Sequence, residues 1–241
     1  QRVIEGKKDG AKLIVFDTRL SNTATHADWW VSPYPGSEPA ILLAIARHLI
    51  TTKRYDRDFV ERWWNWRQYL EQAQGIDPDA ARFEEFEAAL EAEYADYTFE
   101  MAARESGVPA GTLAEIAEAV AGAGSRLSTH NWRSAAAGNL GGWQVSRTLF
   151  MLNALLGAVA VPGGTYPNAW NKYVPKPIHS PPHPDWWNEL SWPAEYPLSM
   201  FEMSFLLPHL MREQDGYIDV YFTRVYNPVW TNPDGFSWIE M

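Results

Sequence analysis

Asp17 closes a short apolar run, Arg19 follows two residues later, and Glu38 stands at the mouth of a helix. All three lie within the stretch GAKLIVFDTRLSNTATHADWWVSPYPGSE, residues 10–38. A carboxylate at the end of a strand, followed by Thr18, Arg19 and Ser21, is the arrangement with which an open α/β sheet holds the hydroxyls of a ribose. In dinucleotide folds that acid sits about 20 residues beyond a glycine-rich turn that cradles the pyrophosphate. Only QRVIEGKKDG precedes the strand here. The first strand and its turn are therefore expected before Gln1, and the chain, which opens on Gln, reads as a fragment of a larger protein. A second candidate lies at residues 125–132 (SRLSTHNW), where a strand is followed by Gly138, Gly141 and Gly142 and then by a helix. Such a turn brings backbone amides close to an anion at a helix N-terminus. It is neither a GxGxxG nor a Walker loop.

The elements that must position these groups follow from periodicity. Residues 12–16 (KLIVF) read as a strand buried on both faces, as in a parallel sheet. The PYPG turn at 33–36 stops the chain, and Ser37 is placed to cap a helix whose apolar positions Ile41, Leu42, Ile45 and Leu49 recur at helical spacing to about residue 52. Residues 54–74 and 78–94 predict two further helices. Residues 99–105 predict another, ended by Gly107, and Pro109 leads into an amphipathic helix through residue 123. Residues 143–156 and 198–214 are read as helices, with Pro208 kinking or ending the latter. Residues 161–197 form a long Pro- and Trp-rich loop, and 218–223 (IDVYFT) predict a third strand. Strands alternating with helices argue for α/β with parallel strands and a helical insertion.

Composition narrows the function. The 241 residues are 46% hydrophobic, enough for a real core, and carry a net charge of −10, which argues against binding a nucleic-acid backbone. Any anion site must be local. With no cysteine in the sequence there is no disulfide framework, iron–sulfur cluster or thiolate metal site within these residues. The longest apolar run, LFMLNALLGAVAV, is interrupted by Asn153 and Gly157 and is too short to span a bilayer.

Taken in order, GAKLIVFDTRLSNTATHADWW, PGSE, YDRDFV, YTFEMAARESGVP, STHNWR, LNALLGAVAVPGG and DVYFTRVYNPVWTNPDG resemble the catalytic subunits of the molybdopterin oxidoreductases of the dimethyl-sulfoxide-reductase family. The resemblance implies two dinucleotide-binding, Rossmann-like halves. Residues 1–53 would end the first, 54–124 would form the helical segment, and 125–241 would belong to the second, with the 161–197 loop inside it. It implies a bis-molybdopterin guanine dinucleotide cofactor with Mo or W, each half holding one guanosine end. The metal ligand and any 4Fe-4S cluster are expected in a segment before Gln1. No metal ligand and no catalytic residue is assigned within the chain itself. A small-molecule substrate and an iron–sulfur electron-transfer subunit are the implied partners, in the periplasm or cytoplasm of a prokaryote.

Residue by residue, the resemblance assigns cofactor contacts to Asp17, Thr18, Arg19, Thr23, Gly36, Glu38, His130, Asn131, Trp132, Asn227 and Pro228. Asp17 would accept hydrogen bonds from a vicinal diol, and Arg19 would meet a phosphate or the base. Glu38, where the family has Asp, would face N1–H and the exocyclic amine of guanine. Asn227-Pro228 matches a G-x-NP turn whose glycine is replaced within Arg224-Val225-Tyr226. Formate dehydrogenases of the family carry an arginine soon after the PGG turn; here none occurs before Arg212, although Lys172 and Lys176 are available to hold an anion.

Plainer roles stand beside these. Asp17 could serve as a turn or cap residue, Glu38 as an acid favouring its helix dipole, and His130 as a core histidine. His179 and His183 are four apart, but Pro181 and Pro182 forbid a helix, so both read as solvated loop residues. Trp63, Trp64, Trp66, Trp186, Trp187 and Trp192 read as core or interface packing, and the acids of 84–93 as a solvated face. Two other readings of the whole chain remain. One is a homologue that has lost its cofactor and serves a structural or electron-transfer role; the other is an unrelated α/β nucleotide-binding protein.

Overall fold

Residues 2–131, 142–166, 207–208, 211–212, 218–231 and 235–241 are described by the computed structural model. The glycine turn at 138–141, most of the 161–197 loop and most of the 198–214 helix lie outside them. So do His179, His183, Lys172, Lys176, Trp186, Trp187 and Trp192. The chain divides into one unit of Gln1–His130 with Arg147–Pro167, and another of Asn131–Ser146 with Asn168–Met241. The described part is mostly helical α/β with a small parallel sheet.

The first unit opens on a helix, α1 (Arg2–Lys8), where the sequence reading placed only a basic lead-in. Strand β1 (Ile14–Phe16) follows and pairs in parallel with β2 (Trp29–Val31), with Ile14 opposite Trp29 and Phe16 opposite Val31. The parallel pairing agrees with the expectation for KLIVF. Burial on both faces does not, because all three β1 residues are only half-buried. The second strand was not foreseen: WWV is too short and too close to polar neighbours to show a period of two. A 3-10 turn (Ala24–His26) lies in the connection between the strands, which contains no α-helix.

Asp28 clips α1 to this sheet. Its carboxylate accepts from the Lys7 ammonium, from the Leu13 N–H at 2.8 Å and from Lys12 at 3.3 Å. The Lys7 bond, then the Leu13 amide, hold its pKa down from the usual 3.8 to about 2. A depressed carboxyl contributes stability that is present above the usual value and is lost as the pH falls from there through about 2. Asp28→Asn should cost about 1 kcal/mol at neutral pH. It should also flatten the acid sensitivity of the Leu13 amide between those two values, as read by hydrogen exchange.

Helix α2 (Glu38–Thr51) buries Ile41, Leu42, Ile45, Leu49 and Ile50, the face that periodicity marks out. It ends in a Schellman turn: Arg54 N–H reaches Leu49 O at 2.9 Å and Lys53 N–H reaches Ile50 O at 3.1 Å, with Lys53 in the left-handed region at φ 54°. The single helix expected over 54–74 is two, α3 (Arg57–Trp63) and α4 (Trp66–Gln74). Asp56 caps α3 by accepting the Phe59 N–H at 2.9 Å, and Trp64 is extended between the two helices. The break lets Trp66 turn inward: its indole N–H donates to Glu61 O, and its ring meets Phe83 edge-on with centroids 5.4 Å apart. Trp64 and Tyr69 meet Phe86 in the same cluster, so these aromatics pack a core, while Trp63 remains exposed. Phe83 and Phe86 come from α5 (Phe83–Glu93).

Helix α6 (Phe99–Ser106) is capped by Thr98 and closed by Gly107 at φ 75°. Pro109 then leads into α7 (Ala110–Ala123), whose Leu113, Ile116 and Ala117 are fully buried. Helices α2, α6 and α7 pack on one another and form the core. Helix α8 (Trp143–Leu155) matches its prediction to within one residue.

The two other predicted strands are corrected. Residues 124–126 form a 3-10 turn, and the chain then runs to Asn131 without a ladder. Residues 218–223 are likewise outside any ladder, with Val220 and Phe222 exposed. An apolar, β-prone run becomes a strand only when a neighbour takes its backbone groups, and among the described residues neither run has one. In the second unit, α9 (Pro228–Thr231) and α10 (Gly235–Glu240) follow, and Trp238 is buried against Tyr221 with ring centroids 5.7 Å apart. Among the described residues no helix is long and apolar enough to cross a membrane.

Candidate functional site

Asp17 extends the β1–β2 ladder by one bond, its N–H donating to Val31 O at 3.1 Å. The Trp30 indole N–H donates to the Asp17 carbonyl at 2.9 Å, so the backbone here is anchored on both sides. The carboxylate is turned to the loop beyond: Oδ1 accepts the Arg19 N–H at 3.1 Å. This amide bond, then the Ser21 hydroxyl and more weakly the Arg19 charge, hold the Asp17 carboxyl below the usual carboxylate range. Asp17 is thus an ionised acceptor at neutral pH.

The loop folds tightly because Ser21 N–H donates to Arg19 O at 2.8 Å and Thr25 N–H to Ser21 O at 3.0 Å. Residues Arg19, Leu20, Ser21, Asn22 and Thr23 line a depression of about 500 Å³. Thr18 accepts the Ser32 hydroxyl at its carbonyl, and Thr23 begins the 3-10 turn. Asp17, Thr18, Arg19 and Thr23 therefore gather at the carboxyl edge of β1, the side on which open α/β sheets bind ligands.

Because β1 and β2 are parallel, the chain leaves β2 from that same edge. It enters a turn in which Gly36, at φ 88°, donates its N–H to Glu38 Oε2 at 2.9 Å. Glu38 is the first residue of α2 and folds back over its own turn. The expected Ser37 cap is corrected: the Ser37 hydroxyl donates to Tyr34 O at 2.6 Å and accepts no helix N–H, and its backbone at φ −93°, ψ −4° is not the extended one of a capping residue. Tyr34 in turn takes its N–H to Ser106 O at 3.0 Å, which fastens the turn to α6.

His130 is exposed at the end of the 127–130 run. Asn131 donates its side-chain amide to the Ser146 hydroxyl, and Trp132 lies outside the described residues. In the second unit Asn227 Oδ1 accepts the Val229 N–H at 3.2 Å, and its carbonyl accepts Trp230 and Thr231, so Asn227 caps α9 with Pro228 at the first helical position. Val225 occupies the place of the glycine in the G-x-NP pattern, and it keeps a left-handed backbone at φ 56° while 97% exposed. A β-branched residue there is strained by about 1–2 kcal/mol. Val225→Gly should raise the denaturation midpoint of the chain by an amount equivalent to about 0.5–1 kcal/mol, part of the relief being offset by glycine's greater unfolded freedom. An unchanged or lowered midpoint would show that the turn is not strained.

Sequence reasoning missed Ser21 as a partner of Asp17, and it missed Trp30. It noted Asn153 only as an interruption of an apolar run, a signal of buried polar duty that was available in LFMLNALLG. Among the described residues no group of three or more His, Cys, Asp or Glu side chains is placed to hold a metal ion.

No protein-family model matches the chain. Across 164 residues, 68% of its length, it is 28% identical to the thiosulfate reductase molybdopterin-containing subunit of Salmonella typhimurium, of which it covers 19%. It is 27% identical over 210 residues, 84% of the chain and 24% of the relative, to the Escherichia coli protein named probable dimethyl sulfoxide reductase chain. The solved acetylene hydratase from Pelobacter acetylenicus shares the fold with a TM-score of 0.50 and 23% identity, covering 65% of this chain and 18% of that one. The relatives' common class is that of molybdopterin oxidoreductases. Within that class its homologues are of the dimethyl-sulfoxide-reductase family. It spans about a fifth to a quarter of the length of the first two relatives.

Proposed function

We propose that this chain is the part of a Mo- or W-dependent oxidoreductase that holds the guanosine ends of a bis-molybdopterin guanine dinucleotide. The observation that carries the reading is the ionised Asp17 carboxylate at the carboxyl edge of β1, beside the depression lined by Arg19–Thr23. The residues fit such a group: a carboxylate offers about four acceptor sites, and the Arg19 amide and the Ser21 hydroxyl use two of those of Asp17, which leaves acceptor capacity for a ribose hydroxyl. Arg19 supplies a local cation in a chain of net charge −10. Thr18, Thr23 and Gly36 border the same edge, with Glu38 facing the guanine. His130, Asn131 and Trp132, and Asn227 with Pro228, serve the second guanosine end.

In this reading residues 1–53 close one Rossmann-like half, 54–124 form the helical segment, and 125–241 belong to the other half. When bound, the cofactor supplies two-electron redox chemistry at the metal. The chain's own residues bind and orient its nucleotide ends. A small-molecule substrate, a 4Fe-4S cluster outside this chain and an iron–sulfur partner subunit complete the proposal.

Two observations favour a second reading, a cofactor-less homologue. One Glu38 oxygen is already committed to the Gly36 N–H, and valine replaces the G-x-NP glycine. Metal analysis and nucleotide release from the purified protein that carries this chain separate the two. Mo or W together with GMP after acid hydrolysis supports the first. Their absence from fully folded protein expressed with cofactor synthesis intact supports the second.

A further inference from the structure

Asn153 is fully buried within the otherwise apolar end of α8, and both ends of its amide are used. Nδ2 donates to Leu127 O at 2.8 Å, and Oδ1 accepts the Thr129 hydroxyl. Its backbone carbonyl accepts the Ala158 N–H at 2.8 Å. Thr129 N–H donates to Thr165 Oγ1 at 3.2 Å, while Thr165 N–H donates to Ala158 O at 2.8 Å. Leu127 is extended, with φ −83° and ψ 118°. Side chains thus do for this run what a neighbouring strand would otherwise do, satisfying backbone groups that are costly to bury alone.

We propose that Asn153 is a positioning residue: through Thr129 and the Leu127 carbonyl, with Thr165 bracing the other side, it fixes the extended backbone from Leu127 to Thr129 and so sets where His130 leaves it. The proposal rests on the reading of His130 as a contact to the guanosine end of the cofactor. A buried primary amide in an apolar helix is unfavourable unless both its donor and its acceptor are matched. The bonds to Leu127 and Thr129 match them with the segment that leads to His130 and with nothing else described.

The test compares Asn153→Leu, Thr129→Val and Thr129→Ser in the full chain. The readouts are amide exchange at Thr129, NMR signals of the labelled His130 ring and affinity for GDP. Asn153→Leu and Thr129→Val should speed Thr129 exchange roughly tenfold or more, the equilibrium shift of one or two buried hydrogen bonds, and should move the His130 signals. Thr129→Ser, which keeps the hydroxyl, should do neither. GDP affinity should fall in Asn153→Leu by about the factor seen in His130→Ala. The proposal is overturned if Thr129 exchange and the His130 signals stay put in Thr129→Val, a variant that keeps side-chain volume should Asn153→Leu not fold. It is equally overturned if they move while GDP affinity holds and His130→Ala lowers it. Should neither Asp17→Ala nor His130→Ala alter GDP affinity, the nucleotide reading is what fails, and the exchange and His130 signals alone decide whether Asn153 positions the segment.

Discussion

Replacing Asp17 by alanine should weaken binding of GDP to the chain by about 10- to 100-fold while leaving the fold in place. Hydrogen bonds to a charged acceptor contribute about 1.5–3 kcal/mol, and each 1.4 kcal/mol is about a factor of ten. The fold survives because the carboxylate's local bonds run to the Arg19 amide and the Ser21 hydroxyl in a loop, whereas the ladder bond to Val31 is made by the Asp17 backbone. Asp17→Asn, which keeps the shape and loses the charge, should fall between wild type and alanine. The pH dependence has a definite sign. With its carboxyl held below the usual range by the Arg19 amide and then the Ser21 hydroxyl, Asp17 keeps its charge at every pH above that range. Its contribution to affinity should be flat through neutral pH and decline only once the pH passes below the ordinary carboxylate value. Ser21→Ala should move that decline upward. Calorimetric titration with GDP is the check, and equal affinities for wild type and Asp17→Ala would remove the central contact of the proposed site.

Asp17 was legible because strand ends announce themselves: KLIVF is apolar and β-prone, and the first charged residue after it marks the exit. The helices α2, α6 and α7 were legible for a similar reason, since each keeps one apolar face at helical spacing and is bounded by Pro, Thr or Gly. What was not legible depends on partners distant in sequence. WWV gives no sign that it will pair with IVF, because a three-residue strand shows no period. SRLSTHNW has the composition of a strand, and whether it joins a ladder is decided by what lies alongside. In the described structure that is Asn153 and Thr165, whose side chains hold the run extended without any sheet. The break between α3 and α4 likewise follows from Trp66 finding Phe83 and Phe86, a tertiary preference that overrides the helical pattern running through Trp64.

The site shows the same division. The residue types and their order carried the resemblance, and the structure adds geometry that bears on individual roles. Glu38 reaches back to Gly36, so one oxygen is committed to the turn before the helix, and only the other remains for a base edge. Val225, at the position that the G-x-NP pattern gives to glycine, has a left-handed backbone at φ 56°. That conformation suits glycine and strains valine, and a β-branched side chain stands where close backbone approach would need none.

Stability and ligand binding can be separated with one core substitution. Ile45 is 1% exposed on the face of α2 that packs against α6 and α7, and Ile45→Ala should destabilise the chain by about 2–5 kcal/mol, through lost burial and the cavity left behind. Against a typical total of about 5–15 kcal/mol, that brings the midpoint of unfolding close to working conditions. A ligand that binds only the native state then becomes easy to see: at about a hundred times its dissociation constant it restores about 2.7 kcal/mol. GDP should therefore raise the melting temperature of Ile45→Ala clearly, and at the same concentration it should raise that of Ile45→Ala/Asp17→Ala much less, by the equivalent of about 0.4–1.4 kcal/mol for binding weakened 10- to 100-fold. Ile45 is buried within α2, whereas the Asp17 carboxylate bonds to the loop after β1, so the two substitutions should act independently on stability and on binding. If GDP protects the single and the double variant alike, nucleotide binding does not run through Asp17. If it protects neither while wild type binds GDP by calorimetry, the core around Ile45 shapes the site as well as the fold.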